Sequence, residues 1–174
     1  MAALKKISVL EARNKNQANQ NIQIMSYIQS FYHIVFRTYH SEPTIPVKHD
    51  RELYAYIYGI AKNLHCETFR IGGMPDHVHI FASLPPSLPI AAFVQRVKTD
   101  SSKWLKTNPN FPLFQGWARE YAGLSKSAGD KDTVIRYIMR QKEHHKRISF
   151  ADEYRDFLVE NGIAIDERYF LKDY

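Results

Sequence analysis

Between Cys66 and Leu84 the chain reads CETFRIGGMPDHVHIFASL, two short runs separated by a Gly-Met-Pro-Asp corner. Each run is too short for a stable helix and carries β-branched and aromatic residues, so the pair reads as an antiparallel hairpin. What flanks it must supply the rest of a sheet. SFYHIVFRTYH (30–40) reads as a first strand, ended by Pro43 and Pro46. In 48–65, Leu53, Ile57, Ile60 and Leu64 recur at helical spacing, with Asp50 as N-cap. After the PPSLP loop, IAAFVQRVKTDSSKWLKTN sets Ile90, Phe93, Val97, Trp104 and Leu105 around one side of a second helix, which Pro109 and Pro112 end. FQGWAREYAGLS reads as a fourth strand and KSAGDKD as a polar, glycine-bearing linker. DTVIRYIMRQKEHHKR is a third helix capped by Asp130 or Asp132, and FADEYRDFLVENG an amphipathic helix closed by Gly162. The order βαββαβ with appended helices is the α+β, ferredoxin-like or RRM-like plan: an antiparallel sheet with two helices on one face. Its other face is left for a ligand or for the third helix.

At 174 residues the chain fits one domain, drawn as a polar N-terminal arm over 1–28, a main domain over 29–148 and a helical tail over 149–174. No apolar run approaches the roughly 20 residues that span a bilayer. MAALKKISVLEARNKNQANQNIQ lacks the apolar centre of a secretory signal, so the expected address is the cytoplasm, with no membrane partner. Cys66 is the single cysteine, which leaves disulfides and cysteine-rich zinc sites aside. A net charge of +6 favours a polyanionic partner. The basic residues cluster in QRVKTDSSKWLK and RYIMRQKEHHKR.

Side chains alternate along a strand, so His77 and His79 project from one face while Val78 and Ile80 enter the helix-covered core. Two imidazoles so placed can hold one divalent ion, although a bare His-x-His is also an ordinary polar strand face. At about 100° per residue, with Tyr137 as zero, Gln141 falls near 40°, His144 near −20° and Arg140 near −60°. A phenol, a carboxamide, an imidazole and a guanidinium thus share one stripe of the third helix.

Taken in order, MPDHVHIF, SSKWLK and VIRYIMRQKEHH resemble the single-tyrosine HUH transposases, bacterial insertion-sequence enzymes that cut and rejoin single-stranded DNA, among them the REP-associated tyrosine transposases. YHIVFRTYHSEP resembles the opening strand of that family. The resemblance runs from about Tyr32 to Gln141 and, more loosely, through FADEYRDFLVENGIAIDERYF. Where relatives often carry Gly-Tyr-Gly-Ala-Phe, this chain has Glu120, Tyr121, Ala122, Gly123 and Leu124. The resemblance implies an added catalytic helix with Tyr137 as nucleophile, and His77, His79 and Gln141 as ligands of Mg²⁺ or Mn²⁺. It also implies a 5′-phosphotyrosine intermediate, single-stranded DNA with hairpin ends as partner, and a homodimer in which the tyrosine helix can complete the partner's site. Arg96, Lys98, Lys103, Arg136, Arg140 and Lys142 are the expected DNA-backbone contacts, and Trp104 or Trp117 base-stacking surfaces if not core. His144 and His145 are nearby histidines that would either touch phosphate or meet the helix dipole. Two rival readings share these residues: an RRM-like nucleic-acid module without catalysis, and a host-adopted nuclease that cuts hairpins. A two-histidine phosphoesterase would need a second His-x-Ser/Thr motif.

Overall fold

The computed structural model describes residues 28–144 and 148–173. The N-terminal arm and His145 therefore lie outside the described residues. The elements in chain order are β1 (Phe31–Arg37), α1 (Asp50–Asn63), β2 (Glu67–Met74), β3 (His77–Ser83), α2 (Ile90–Thr107), β4 (Ala122–Lys126), α3 (Lys131–Met139), α4 (Gln141–His144) and α5 (Phe150–Glu160). The sheet is four-stranded in the order β2-β3-β1-β4, with every pair antiparallel. This is the expected α+β plan.

Alternation sets the layering. Ile34, Phe36, Val78, Ile80 and Ala82 point to the side where α1 brings Leu53, Ile57 and Ile60, and α2 brings Phe93, Val94, Val97 and Leu105. Burying these side chains contributes roughly 1.5–3 kcal/mol each and supplies most of the drive to fold. The opposite face is covered too. There Phe31 and Phe81 meet Val134 and Ile138 of α3 in a second, smaller core. β3 is consequently buried along nearly its whole length, His77 and His79 included.

Several expectations are corrected. Asp50 is the first residue of α1 and not its cap; His49 precedes it, and neither His49 nor another side chain caps the helix. The Asp50 carboxylate instead accepts from Lys142 Nζ at 2.5 Å. The fourth strand is shorter than FQGWAREYAGLS, because Phe114 and Trp117, three residues apart, both turn into the α1/α2 core instead of alternating. Trp117 keeps an isolated bridge to Thr38, and regular pairing with β1 begins at Ala122. β4 forms despite its departure from the Gly-Tyr-Gly-Ala-Phe pattern. Gly123 fits there because a Cβ would lie 2.4 Å from Ile90 Cδ1, at the start of α2. The third helix is not continuous: it ends at Arg140, whose N–H bonds to the carbonyls of Arg136 and Tyr137, and α4 starts at Gln141. α5 closes as expected. Gly162 has φ +73°, its N–H bonds to Val159 O and that of Ile163 to Leu158 O, a Schellman pattern.

Candidate active site

The register of β1 against β3 assembles the site. Arg37 pairs with His77 and Val35 with His79, so His33, Val35 and Arg37 share the face of the two histidines. The rings of His77 and His79 stand 5.0 Å apart at 75°. Each is held from behind through Nδ1. His77 Nδ1 lies 2.7 Å from Asp76 Oδ1, and His79 Nδ1 lies 3.0 Å from His33 Nε2. The carboxylate fixes the His77 proton on Nδ1 and leaves the Nε2 lone pair facing inward. Burial, helped by the charge of Lys126 and only partly opposed by Glu153, pushes the His33 pKa down to about 3. His33 is therefore neutral and able to accept the Nδ1 proton of His79, which leaves Nε2 of His79 unprotonated as well.

Helices α3 to α5 roof the pair. Tyr137 in the last turn of α3 donates its O–H to Glu153 Oε1 of α5. Gln141, buried at the start of α4, donates from Nε2 to the same oxygen at 2.7 Å and brings Oε1 to 3.5 Å from His77 Nε2. Glu153 lies 3.8 Å from His77 Nε2 and 4.0 Å from His79 Nε2. Phe150 stacks on the His77 ring at 4.3 Å, and Phe157 meets His33 edge-on at 4.9 Å. Burial, then the charge of Glu153 and its hydrogen bond, raise the Tyr137 pKa well above the ordinary phenol value. The nucleophile candidate is thus protonated at rest.

His77, His79 and Glu153 each offer a ligand atom within 4.8 Å of the others, the group of this kind found among the described residues. Two imidazole nitrogens with a carboxylate oxygen, and a carboxamide oxygen beside them, suit a divalent ion of borderline to hard character. The residues fit such an ion. Of the four residues expected at the centre, His77, His79, Tyr137 and Gln141, the fold brings all together. Two participants were not anticipated. His33 sits inside the apolar run YHIVF, where only its strand parity signals the site, and Glu153 comes from the segment read as a tail. Phe150, Glu153 and Phe157 form an i, i+3, i+7 stripe, the available sign that Glu153 faces inward.

The transposase family described as IS200-like matches residues 26–141, two-thirds of the chain and all the motif-bearing residues except Glu153. The chain belongs to this family. No curated protein sequence matches the transposase significantly. Among solved structures it is similar to a candidate transposase from Deinococcus radiodurans R1, at 22% identity and TM-score 0.51, covering 67% of this chain and 94% of that one. It is also similar to a REP-associated tyrosine transposase bound to a REP hairpin, at 14% identity and TM-score 0.54, covering 86% of this chain and 92% of that one. At these identities the likeness concerns the fold.

In the transposase the expected DNA contacts divide between two layers. Arg136, Arg140 and Lys142 are exposed on α3 and α4 or at the break between them, on the histidine side. Arg140 leaves the Tyr137 stripe because the helix breaks there. Arg96, Lys98 and Lys103 belong to α2 on the other side of the sheet, where Arg96 is bonded to Asp100 and Lys98 Nζ donates to the carbonyls of Arg119 and Glu120. Trp104 stacks on Tyr56 at 4.6 Å, and Trp117 Nε1 donates to Ser101 Oγ at 3.0 Å, so both rings are engaged in packing. The side chain of His144 lies outside the described residues. Among the described residues no helix is long and apolar enough to cross a membrane.

Proposed function

We propose that the transposase cleaves and rejoins single-stranded DNA through a 5′-phosphotyrosine at Tyr137. The observation that carries the reading is the convergence of the Tyr137 hydroxyl, His77, His79 and Gln141 on one buried point, with Glu153 hydrogen-bonded to the phenol. Mg²⁺ or Mn²⁺ held by His77, His79 and Gln141, with Glu153 in reach, would withdraw charge from the scissile phosphate. Tyr137 Oη forms the new bond to phosphorus as its proton passes to the Glu153 carboxylate. The P–O3′ bond breaks, and the departing oxygen takes up a proton to become a 3′-OH. The phosphate ester is conserved. A second 3′-OH can attack the phosphotyrosine and return the phenol, which is strand transfer without ATP. Gln141 keeps Glu153 oriented toward the phenol, and Phe150 and Phe157 keep bulk water off the histidines.

The solved REP-associated relative is bound to a REP hairpin, which supports hairpin-marked single strands as the substrate. Arg136, Arg140 and Lys142 would contact the backbone near the cut, and Arg96, Lys98 and Lys103 a strand running further away. The assembly is a homodimer in this reading, supported by the family resemblance, and its place of work is the cytoplasm. The catalytic unit includes α5 as well as residues 29–148, since Glu153 takes the phenol proton. An RRM-like module would bind bases on an open sheet face, and here that face is covered by α3 and α5.

The test is to incubate the protein with labelled single strands covering both flanks of its gene, with Mg²⁺, Mn²⁺ or EDTA, and resolve the products on denaturing gels. A metal-dependent covalent adduct is expected on single strands only, and none with Tyr137→Phe. Binding without an adduct on either flank would overturn the proposal.

A further inference from the structure

Beside the catalytic cluster, at the free edge of β2, a cleft of about 480 Å³ opens between α1 and α4. Gln141, itself buried, borders both the cleft and the catalytic cluster, so the two adjoin. Its walls carry Arg51 and Tyr54 from α1, Arg70 from β2 and Lys142 from α4. Its floor is Gly72 and Gly73, bare of side chains. Glycine is required at both: a Cβ on Gly72 would lie 2.8 Å from Ile138 Cγ2, and one on Gly73 would lie 2.2 Å from His77 O. Both glycines thus serve the close packing of β2 against α3 and against β3.

Four arginines are neutralised by carboxylates, Arg37 by Asp173, Arg96 by Asp100, Arg155 by Glu167 and Arg168 by Asp166. Arg51 and Arg70 are exposed and bonded to no carboxylate among the described residues. The acid in the cleft, Asp50, is already occupied by Lys142. Two guanidiniums without a carboxylate partner, in a cleft that adjoins a residue of the catalytic cluster, match the phosphodiesters of a strand.

We propose that this cleft holds the backbone phosphates of the single strand next to the scissile phosphate, with Arg51 and Arg70 as its principal contacts. The inference rests on the strand-cleaving function proposed above and assigns to it a path along β2. It gives a role to two exposed arginines that lie far in sequence from the tyrosine and histidine motifs.

The test measures binding of a fluorescein-labelled single strand from the gene's flank by anisotropy, across a KCl series, in a Tyr137→Phe background so that no cleavage intervenes. Each lost phosphate contact reduces the slope of log K against log salt by about 0.7. The Arg51→Gln/Arg70→Gln pair is therefore expected to flatten that slope by about 1.4 and to weaken binding about tenfold or more at low salt. Lys106→Gln, the same charge change at the end of α2, is expected to alter neither, and matched melting curves check that all variants are folded. Unchanged slope and affinity in the double variant, an equal loss in Lys106→Gln, equally sensitive binding of a duplex, or no binding by the parent would each overturn the inference. Failure of the function proposal reads differently: Tyr137-intact protein would form no adduct while binding still depended on Arg51 and Arg70.

Discussion

Behind each histidine stands a different partner, a carboxylate for His77 and a neutral imidazole for His79. The carboxylate orients its ring and places a negative charge behind it, whereas His33 can only orient. Removing the orienting bond with His33→Phe should weaken Mn²⁺ binding about tenfold, read by the loss of the free-ion EPR signal, while the melting temperature stays close to that of the parent. An unchanged affinity would show that His79 is fixed by packing alone. Glu153 is a second case where chemistry and charge separate. Glu153→Gln keeps the shape but cannot take the phenol proton, so single-turnover adduct formation should slow about 10²-fold. Strand binding should not weaken, because the change removes one negative charge from the path of a polyanion. An adduct rate equal to the parent's would remove Glu153 from the proton transfer. That His77 shares a face with His79, and Tyr137 with Gln141, was legible because strand parity and helical spacing are local properties; the roles assigned to the four came from the family resemblance. His33 and Glu153 were not legible, because their roles depend on the register of β1 against β3 and on a helix returning across the sheet from far along the chain.

At the scale of elements, the helix carrying Tyr137 is positioned by glycine in the strand beneath it. Gly72 leaves the space that Ile138 fills, with a hypothetical Cβ 2.8 Å from Ile138 Cγ2 and 3.1 Å from Ile138 O. The nearer atom ends a side chain, but the second is backbone, so an alanine must push α3 outward. Gly72→Ala should destabilise by about 1–3 kcal/mol, as overpacking does, in urea unfolding. It should also slow adduct formation more than it weakens strand binding, because the phenol shares a helix with Ile138. Equal losses in rate and binding would place the damage elsewhere. The hairpin of β2 and β3 and the main helices were readable from period and turn chemistry, as were the Gly162 cap and the antiparallel α+β plan. The break at Arg140 was not, since VIRYIMRQKEHH has no proline or glycine to announce it. Tyr137 and Gln141 would share a face of an unbroken helix as well; beyond the break Lys142 reaches Asp50.

Across the whole molecule, the last described residues return to the first strand. Asp173 Oδ2 accepts from Arg37 at 2.7 Å and from the His40 N–H at 2.7 Å, and both the Asp173 and Arg37 side chains are almost completely buried. Arg37 is the register partner of His77, so this ion pair ties the chain's end to the strand pair that carries the site. Glu120, at 3.4 Å and half exposed, is a weaker second partner for Arg37. Asp173→Asn would leave the guanidinium buried with that partner alone and should cost about 2–3 kcal/mol at pH 7, toward the low end for a broken buried pair. Burial pushes the Asp173 carboxyl up, but the bonds from Arg37 and the His40 N–H outweigh it and leave its pKa below the ordinary value of 3.8. A carboxyl lowered on folding stabilises above its unfolded pKa and loses that contribution as pH falls through the folded value. The stability gap between parent and Asp173→Asn should accordingly stay constant from pH 7 to pH 5 and close progressively below 3.8. Urea unfolding of the two proteins across that range measures it. A gap that persists undiminished in acid would mean that the tail is held by the packing of Tyr154 and Phe170, stacked 6.1 Å apart, and that the charge of Asp173 is incidental.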